Sequence, residues 1–313
     1  MRPSSRYDVI AQTGRHTGKK GTRMTLGKIG FIGFGAMASR MGENLRRAGA
    51  EIAAYTPSGK GGDGALRFLA TARDIAAWSD TVIVCVPDDA ALATATQGPD
   101  GLIAGLSADT LVINTSSVSP EAAVALHDAA SARGTCAVDA PVSGSTPEAE
   151  AGQLVVLAGG ETDALERAAP VFAVIGKATI HAGPAGSGAK LKLVVNGIMG
   201  TGLSALAECV AYGLASGLNR STLFDALDQV AVLSPHHKRK LKAAKVGDFA
   251  PQFPTRLMLK DMGLLLRGAE GVRVPVPTVA ASTQMLALSA RRHEQDDYAA
   301  LIGVMEHLVA NAP

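Results

Sequence analysis

Apolar positions along the chain follow two rhythms, and the change between them falls near Gly183. Before it, short apolar runs alternate with stretches of helical spacing. Strand patterns lie at Lys28–Gly33, Glu51–Tyr55, Thr81–Val86, Thr110–Ile113, Cys136–Asp139, Leu154–Ala158 and Ala178–Ile180. Helical patterns lie between them at Met37–Ala48, Asp88–Ala95 and Pro120–Arg133; Met37, Met41 and Leu45 put one apolar side chain on each turn of the first. Strands alternating with helices predict an α/β domain built on a doubly wound parallel sheet. After Gly183 only helical patterns remain: Ala189–Ser216, Ser221–Val230, Arg256–Glu270, Val276–Ser289 and Asp297–Val309. The pattern predicts Ser221 as an N-cap and Pro254 as a break. The predicted layout is an α/β domain over 27–182 and an all-α domain over 183–313, joined by one long helix.

Composition sharpens this picture at the N-terminus. The 313 residues are 47% apolar, which suits a folded globular chain. The formal net charge of +2 is uneven: residues 1–28 carry seven Lys and Arg against one acid, so the remainder is mildly acidic. No nucleic-acid footprint follows for the body. The leader has no apolar core for a signal peptide. Residues 1–26 are expected to be a disordered or mis-assigned leader, with Met24 standing just ahead of the first strand. Cys85, Cys136 and Cys209 lack CxxC spacing, so neither a metal site nor a disulfide framework is expected. Cys85, in an apolar run, reads as a buried and inert thiol. Asn196, Gly197, Gly200 and Gly202 interrupt the apolar run after Lys192, so no membrane span is expected, and the expected compartment is the cytoplasm.

The first strand runs into Gly33-Phe34-Gly35-Ala36-Met37-Ala38, which opens the first helix. A GxGxxA in that context is a dinucleotide-binding turn. Gly33 permits the tight turn, Gly35 lets backbone approach a pyrophosphate, and Ala38 allows close helix–strand packing. The N–H groups opening the helix at Ala36 and Met37 face the phosphates with the positive dipole end. An acid at the end of the second strand would bind a ribose 2′-hydroxyl, whereas this chain has Tyr55-Thr56-Pro57-Ser58-Gly59-Lys60 and no acid before Asp63. Thr56, Ser58 and Lys60 suit a 2′-phosphate, so NADP is expected over NAD.

Four further segments complete a resemblance. Asp139-Ala140-Pro141-Val142-Ser143-Gly144 is a turn of small residues whose backbone donors can converge on an anion. Gly183-Pro-Ala-Gly186-Ser-Gly188 leads into Lys192 and Asn196, which are four apart and share a helix face. Asn114-Thr115-Ser116-Ser117-Val118-Ser119-Pro120 and Lys260-Asp261 are weaker signals. Together these segments resemble the β-hydroxyacid dehydrogenase family, from about Lys28 to the C-terminus. The family includes 3-hydroxyisobutyrate dehydrogenase, tartronate semialdehyde reductase and the glyoxylate/succinic semialdehyde reductases. Ser145, with Gly152-Gln153-Leu154, is similar to the last branch, while Glu148 is unusual for the family.

The resemblance implies a Rossmann domain followed by a helical one. It implies hydride transfer between nicotinamide and a small 3-hydroxy acid or semialdehyde, in a homodimer or homotetramer. Lys192 would be the general acid/base and Asn196 its positioner. Ser143, Gly144 and Ser145 would bind the substrate carboxylate, with Ser117 near both substrate and nicotinamide. Val86 and Pro87, ending the third strand, and Lys260 would approach the cofactor. Leu257 stands where several relatives carry His. His127, His181, His236, His237 and His293 fall on no motif and read as surface residues. The competing readings are an inactive NADP-binding scaffold protein, which would be expected to have lost the Lys, and an imine reductase-like enzyme, which usually lacks it. A 6-phosphogluconate dehydrogenase would need a longer helical domain.

Overall fold

The computed structural model describes residues 9–10, 26–57 and 66–310. The chain divides into two compact units, one ending at Lys192 and the other starting at Leu193. The division thus falls inside the connecting helix and not ahead of it at Gly183.

In the first unit the strands are β1 (Val9–Ile10), β2 (Lys28–Ile32), β3 (Glu51–Tyr55), β4 (Arg67–Phe68), β5 (Thr81–Val84), β6 (Leu111–Asn114), β7 (Cys136–Asp139), β8 (Val142–Ser143), β9 (Leu154–Gly159) and β10 (Gly176–Gly183). They form one sheet in the order β1-β10-β9-β7-β6-β5-β2-β3-β4, with β8 paired to β9. From β4 to β7 every pairing is parallel, as the alternation predicts. At β7 the direction reverses: Asp139 pairs antiparallel with Gly159, and β9 and β10 run parallel to each other. The sheet is therefore mixed, because β7 leads through β8 and a short helix into β9 without a full crossover.

Helices α1 (Ala36–Arg47), α2 (Ala72–Trp78), α3 (Asp89–Thr96), α4 (Leu102–Gly105), α5 (Pro120–Ser131), α6 (Thr146–Glu150) and α7 (Thr162–Ile175) cover the sheet. Alternate strand residues feed two cores. Ile29, Phe31, Ile83, Ile113 and Val138 pack with Met41 and Leu45 of α1 and Phe172 of α7. Ile32, Val82, Val84 and Val112 pack with Ile75 of α2, Leu92 of α3 and Leu126 of α5. Burial on both faces is what a doubly wound sheet requires.

Two expectations for this unit are corrected. Val9 and Ile10, inside the leader that the sequence pattern leaves out of the fold, pair antiparallel with Ile180 and Thr179 of β10. β10 presents open backbone groups on its outer side, and even two added residues satisfy part of that edge. Cys85 is partly rather than fully buried, while desolvation pushes its thiol upward and keeps it the inert thiol expected.

The second unit continues along α8 (Ser187–Ala215) into α9 (Arg220–Gln229), α10 (Pro235–Val246), α11 (Thr255–Gly271), α12 (Pro277–His293) and α13 (Ala300–Ala310). Leu203, Leu206 and Val210 of α8 form its core with Phe224, Leu241, Met258, Met262, Leu286 and Tyr298. By length and composition α8 is long and apolar enough to cross a membrane, and half of its most apolar window is buried within the protein. The helix runs unbroken through Asn196 and the glycines that interrupt its apolar run, as the helical pattern over Ala189–Ser216 predicts. The histidines are corrected as well: His237 is buried, and His127, His181, His236 and His293 are partly buried.

Candidate active site

The strand order places β3 on one side of β2 and β5 on the other, so the crossovers diverge at the carboxyl ends of β2 and β5. Ligands of open α/β sheets bind at such a switch point. Gly33, with φ +86°, follows β2; a Cβ there would stand 2.3 Å from the Cys85 carbonyl oxygen, which follows β5. The turn thus brings Gly33 against Cys85 and Val86, with Pro87 next in the chain. Gly35 is different: its Cβ would meet nothing within 4 Å. It opens α1 without a side-chain cap, and the first turn holds no acid. Uncapped N–H groups beside open space fit a pyrophosphate. Ala36 and Met37 stand in that first turn and Ala38 is buried beneath it.

The β6 end is tied to the same place. Thr115 Oγ1 donates to the Val84 carbonyl at 2.9 Å, and the Val86 N–H donates to Ser116 Oγ at 2.9 Å. Asn114 Oδ1 accepts from the Ser116 N–H, while its buried Nδ2 has no hydrogen-bond partner. Ser117 follows, half-buried. Thr56 sits half-buried at the end of β3; Ser58 and Lys60 lie outside the described residues.

The turn after β7 and the start of α8 are bound together. Asp139, 4% exposed, accepts from the Gly186 N–H through one oxygen and the Ala189 N–H through the other, both at 2.8 Å. Burial pushes this carboxyl upward, against the pull of the Ala189 and Gly186 amides. Gly188 permits the approach, since a Cβ there would lie 2.3 Å from the Leu157 carbonyl oxygen and 2.7 Å from that of Asp139. One turn on, Lys192 is 8% exposed and its Nζ donates to the Val142 carbonyl at 2.8 Å. The buried ammonium is thereby fixed beside Ser143, with Gly144 exposed next to it. Ser145 caps α6: its N–H donates to Glu148 Oε2 at 2.8 Å in a capping box, which accounts for the unusual Glu148.

In the second unit, Asn196 is 1% exposed and its Nδ2 donates to Asp261 Oδ2 at 2.5 Å. Asn196 Oδ1 is buried without a hydrogen-bond partner. Lys260 Nζ lies 2.8 Å from Asp261 Oδ1, within ion-pair range but off the hydrogen-bonding direction. Asp261 thus fixes which end of the Asn196 amide is presented.

The likeness to known proteins covers nearly the whole of this framework. Residues 28–183 match the family described as the NAD binding domain of 6-phosphogluconate dehydrogenase. Residues 186–305 match the NAD-binding domain of NADP-dependent 3-hydroxyisobutyrate dehydrogenase. The 2-(hydroxymethyl)glutarate dehydrogenase of Eubacterium barkeri is 33% identical over 90% of this chain and 95% of its own. The chain belongs to the β-hydroxyacid dehydrogenase family. The chloroplastic glyoxylate/succinic semialdehyde reductase 2 of Arabidopsis thaliana is 29% identical, covering 91% of this chain and 82% of that one. The solved 3-hydroxyisobutyrate dehydrogenase of Mycobacterium tuberculosis, with L-serine, has a TM-score of 0.78 and 28% identity over 89% of this chain and 98% of its own. This member of the family is a dehydrogenase that acts on a CH–OH group with NAD(P).

The reading from sequence missed Asp139 as the anchor of α8 and Asp261 as the partner of Asn196, because both pairings span distant segments. The capping box was legible: Ser145 and Glu148 have its three-residue spacing ahead of an apolar run.

Proposed function

We propose that the enzyme is NADP-dependent and interconverts a small hydroxy acid and its aldehyde, either a 3-hydroxy acid and its semialdehyde or, as a reductase, glyoxylate or succinic semialdehyde. The observation that carries the reading is the buried Lys192, held on the Val142 carbonyl beside Ser143. When bound, the nicotinamide supplies or accepts the hydride. Lys192 gives a proton to the carbonyl oxygen in reduction and takes it back in oxidation. Ser143 and the backbone at Gly144 hold the substrate carboxylate, and the family resemblance assigns Ser117 to substrate and nicotinamide. Ser145 shapes this turn through its cap. The family resemblance assigns Asn196, oriented by Asp261, to positioning and Lys260 to the cofactor. Val194, Ile198 and Tyr212, exposed along α8 by 52%, 66% and 76%, support self-association as a dimer or tetramer, which light scattering tests.

Support for NADP is the absence of an acid at Tyr55-Thr56-Pro57 and on through Lys60. One charge-assisted contact to a 2′-phosphate is worth roughly 1.5–3 kcal/mol, so a preference of at least about tenfold is expected. Steady-state kcat/KM with NADPH and NADH, over a panel of semialdehydes, tests this. Thr56→Asp should invert the preference by repelling the phosphate and accepting from a ribose hydroxyl. Equal or NADH-favouring values in the unaltered chain would refute the cofactor assignment and leave the family intact.

A further inference from the structure

Glu148 has a structural task, yet its charge exceeds what that task needs. Its Oε2 accepts the Ser145 N–H at 2.8 Å in the capping box that opens α6. A glutamine closes a capping box as well as a glutamate does, so the cap does not call for a negative charge. The position of that charge is closely fixed. Gly144 has φ +135°, and a Cβ there would stand 3.0 Å from Glu148 Cβ, 3.6 Å from Glu148 Cγ and 2.7 Å from Leu154 Cδ2. The stem of Glu148 thus lies along Gly144, and its carboxylate is held on the very next amide of the chain.

The same turn holds the opposite charge. Lys192 Nζ donates to the Val142 carbonyl at 2.8 Å, and turn, Lys192 and Glu148 all belong to the first compact unit. With the substrate carboxylate on Ser143 and the Gly144 backbone, the Lys192 ammonium offsets its one negative charge. A second carboxylate on the substrate would meet the fixed charge of Glu148, in a half-buried place where like charges repel more strongly than in water. The Ser145 N–H, engaged by Glu148, is also one donor fewer for such a group. A fixed like charge against the wrong substrate is a common means of specificity. We propose that Glu148 is a specificity-determining residue, whose charge admits substrates with one carboxylate and turns away dicarboxylates. This rests on the placing of the substrate carboxylate at Ser143 and Gly144.

The test uses the full chain loaded with NADPH, whose fluorescence follows titration with butyrate or with succinate. The two acids have the same chain length and carry one and two carboxylates. The unaltered chain should bind butyrate more tightly. Glu148→Gln keeps an acceptor for the Ser145 N–H and removes only the charge, so the affinity ratio should move toward succinate by about tenfold. Glu148→Ala should move it as far, and the difference between unaltered and altered chains should shrink in high salt, where the Debye length is about 3 Å at 1 M. An unchanged ratio in Glu148→Gln, or a shift confined to Glu148→Ala, would overturn the proposal by reducing Glu148 to its cap, while the carboxylate site stands. Ser143→Ala separates the two ideas, since it should weaken both acids alike. Binding that ignores Ser143→Ala, or no binding of either acid, would remove the carboxylate site itself and the proposal with it.

Discussion

Gly35 and Gly33 look alike in sequence, yet the structure separates their roles. Gly33 has positive φ and a carbonyl where its Cβ would be, so the turn itself needs it. Gly35 has ordinary extended backbone and open space. Gly35→Ala should therefore change stability by less than about 1 kcal/mol, the scale of an N-cap change. It should weaken dinucleotide binding by about tenfold or more, because its methyl would occupy the pyrophosphate approach. Thermal melting and fluorescence titration on one sample check both halves; an unchanged affinity would place the pyrophosphate elsewhere. Lys192 and Asn196 were legible because four-residue spacing fixes their common face. Asp261 was not, since a Lys-Asp pair carries no sign that its carboxylate would meet an amide 65 positions away.

At the scale of elements, the junction that matters most is the start of α8 on the sheet. Its helix dipole, two amide donors and the Asp139 carboxylate meet there in a buried place. Gly188→Ala would press a methyl against two backbone carbonyls that cannot rotate away. A loss of about 1–3 kcal/mol is expected, as for other overpacked sites. Turnover should fall more than dinucleotide affinity, because Lys192 rides one turn beyond. Urea denaturation and steady-state kinetics measure this, and full stability with full turnover would show that the junction is loose. The helices found from sequence were those with apolar faces. α10 escaped because its buried face includes His237 and Lys240 beside Leu241 and Ala244, so its pattern looks solvent-facing. His237 is accommodated because Gly202 leaves room: a Cβ there would stand 2.5 Å from the imidazole. Lys240 is paired at 2.7 Å with Asp297, which also accepts from the Gln252 and Phe253 N–H groups. α7 was hidden by Pro170 in its interior.

Over the whole molecule, burial of His236 couples the helical unit to pH. Desolvation, then the charges of Lys240, His237 and Arg239, lower its pKa from 6.5 to about 4. The neutral ring is hydrogen-bonded to the Tyr298 hydroxyl. The folded chain thus binds fewer protons than the unfolded one between those values. Its stability is complete above about pH 6.5 and falls as pH drops toward 4. The loss is at most about 3 kcal/mol, less after solvent screening. The raised Asp139 carboxyl acts in the opposite sense, so the comparison needed is with His236→Gln. Urea midpoints at pH 7.5 and pH 5 should converge for the variant relative to the unaltered chain; identical pH dependence would remove His236 from the account. The two-part layout was legible because the apolar rhythm changes once, whereas the reversed β9–β10 pair was not, since strand direction leaves no mark on periodicity. The central claim is that Lys192 transfers the proton. Single-turnover reduction of succinic semialdehyde by bound NADPH, in the unaltered chain and in Lys192→Ala, tests it most directly. The account predicts a rate lower by ~10²–10⁴-fold with NADPH affinity retained; a near-normal rate in the folded variant would contradict it.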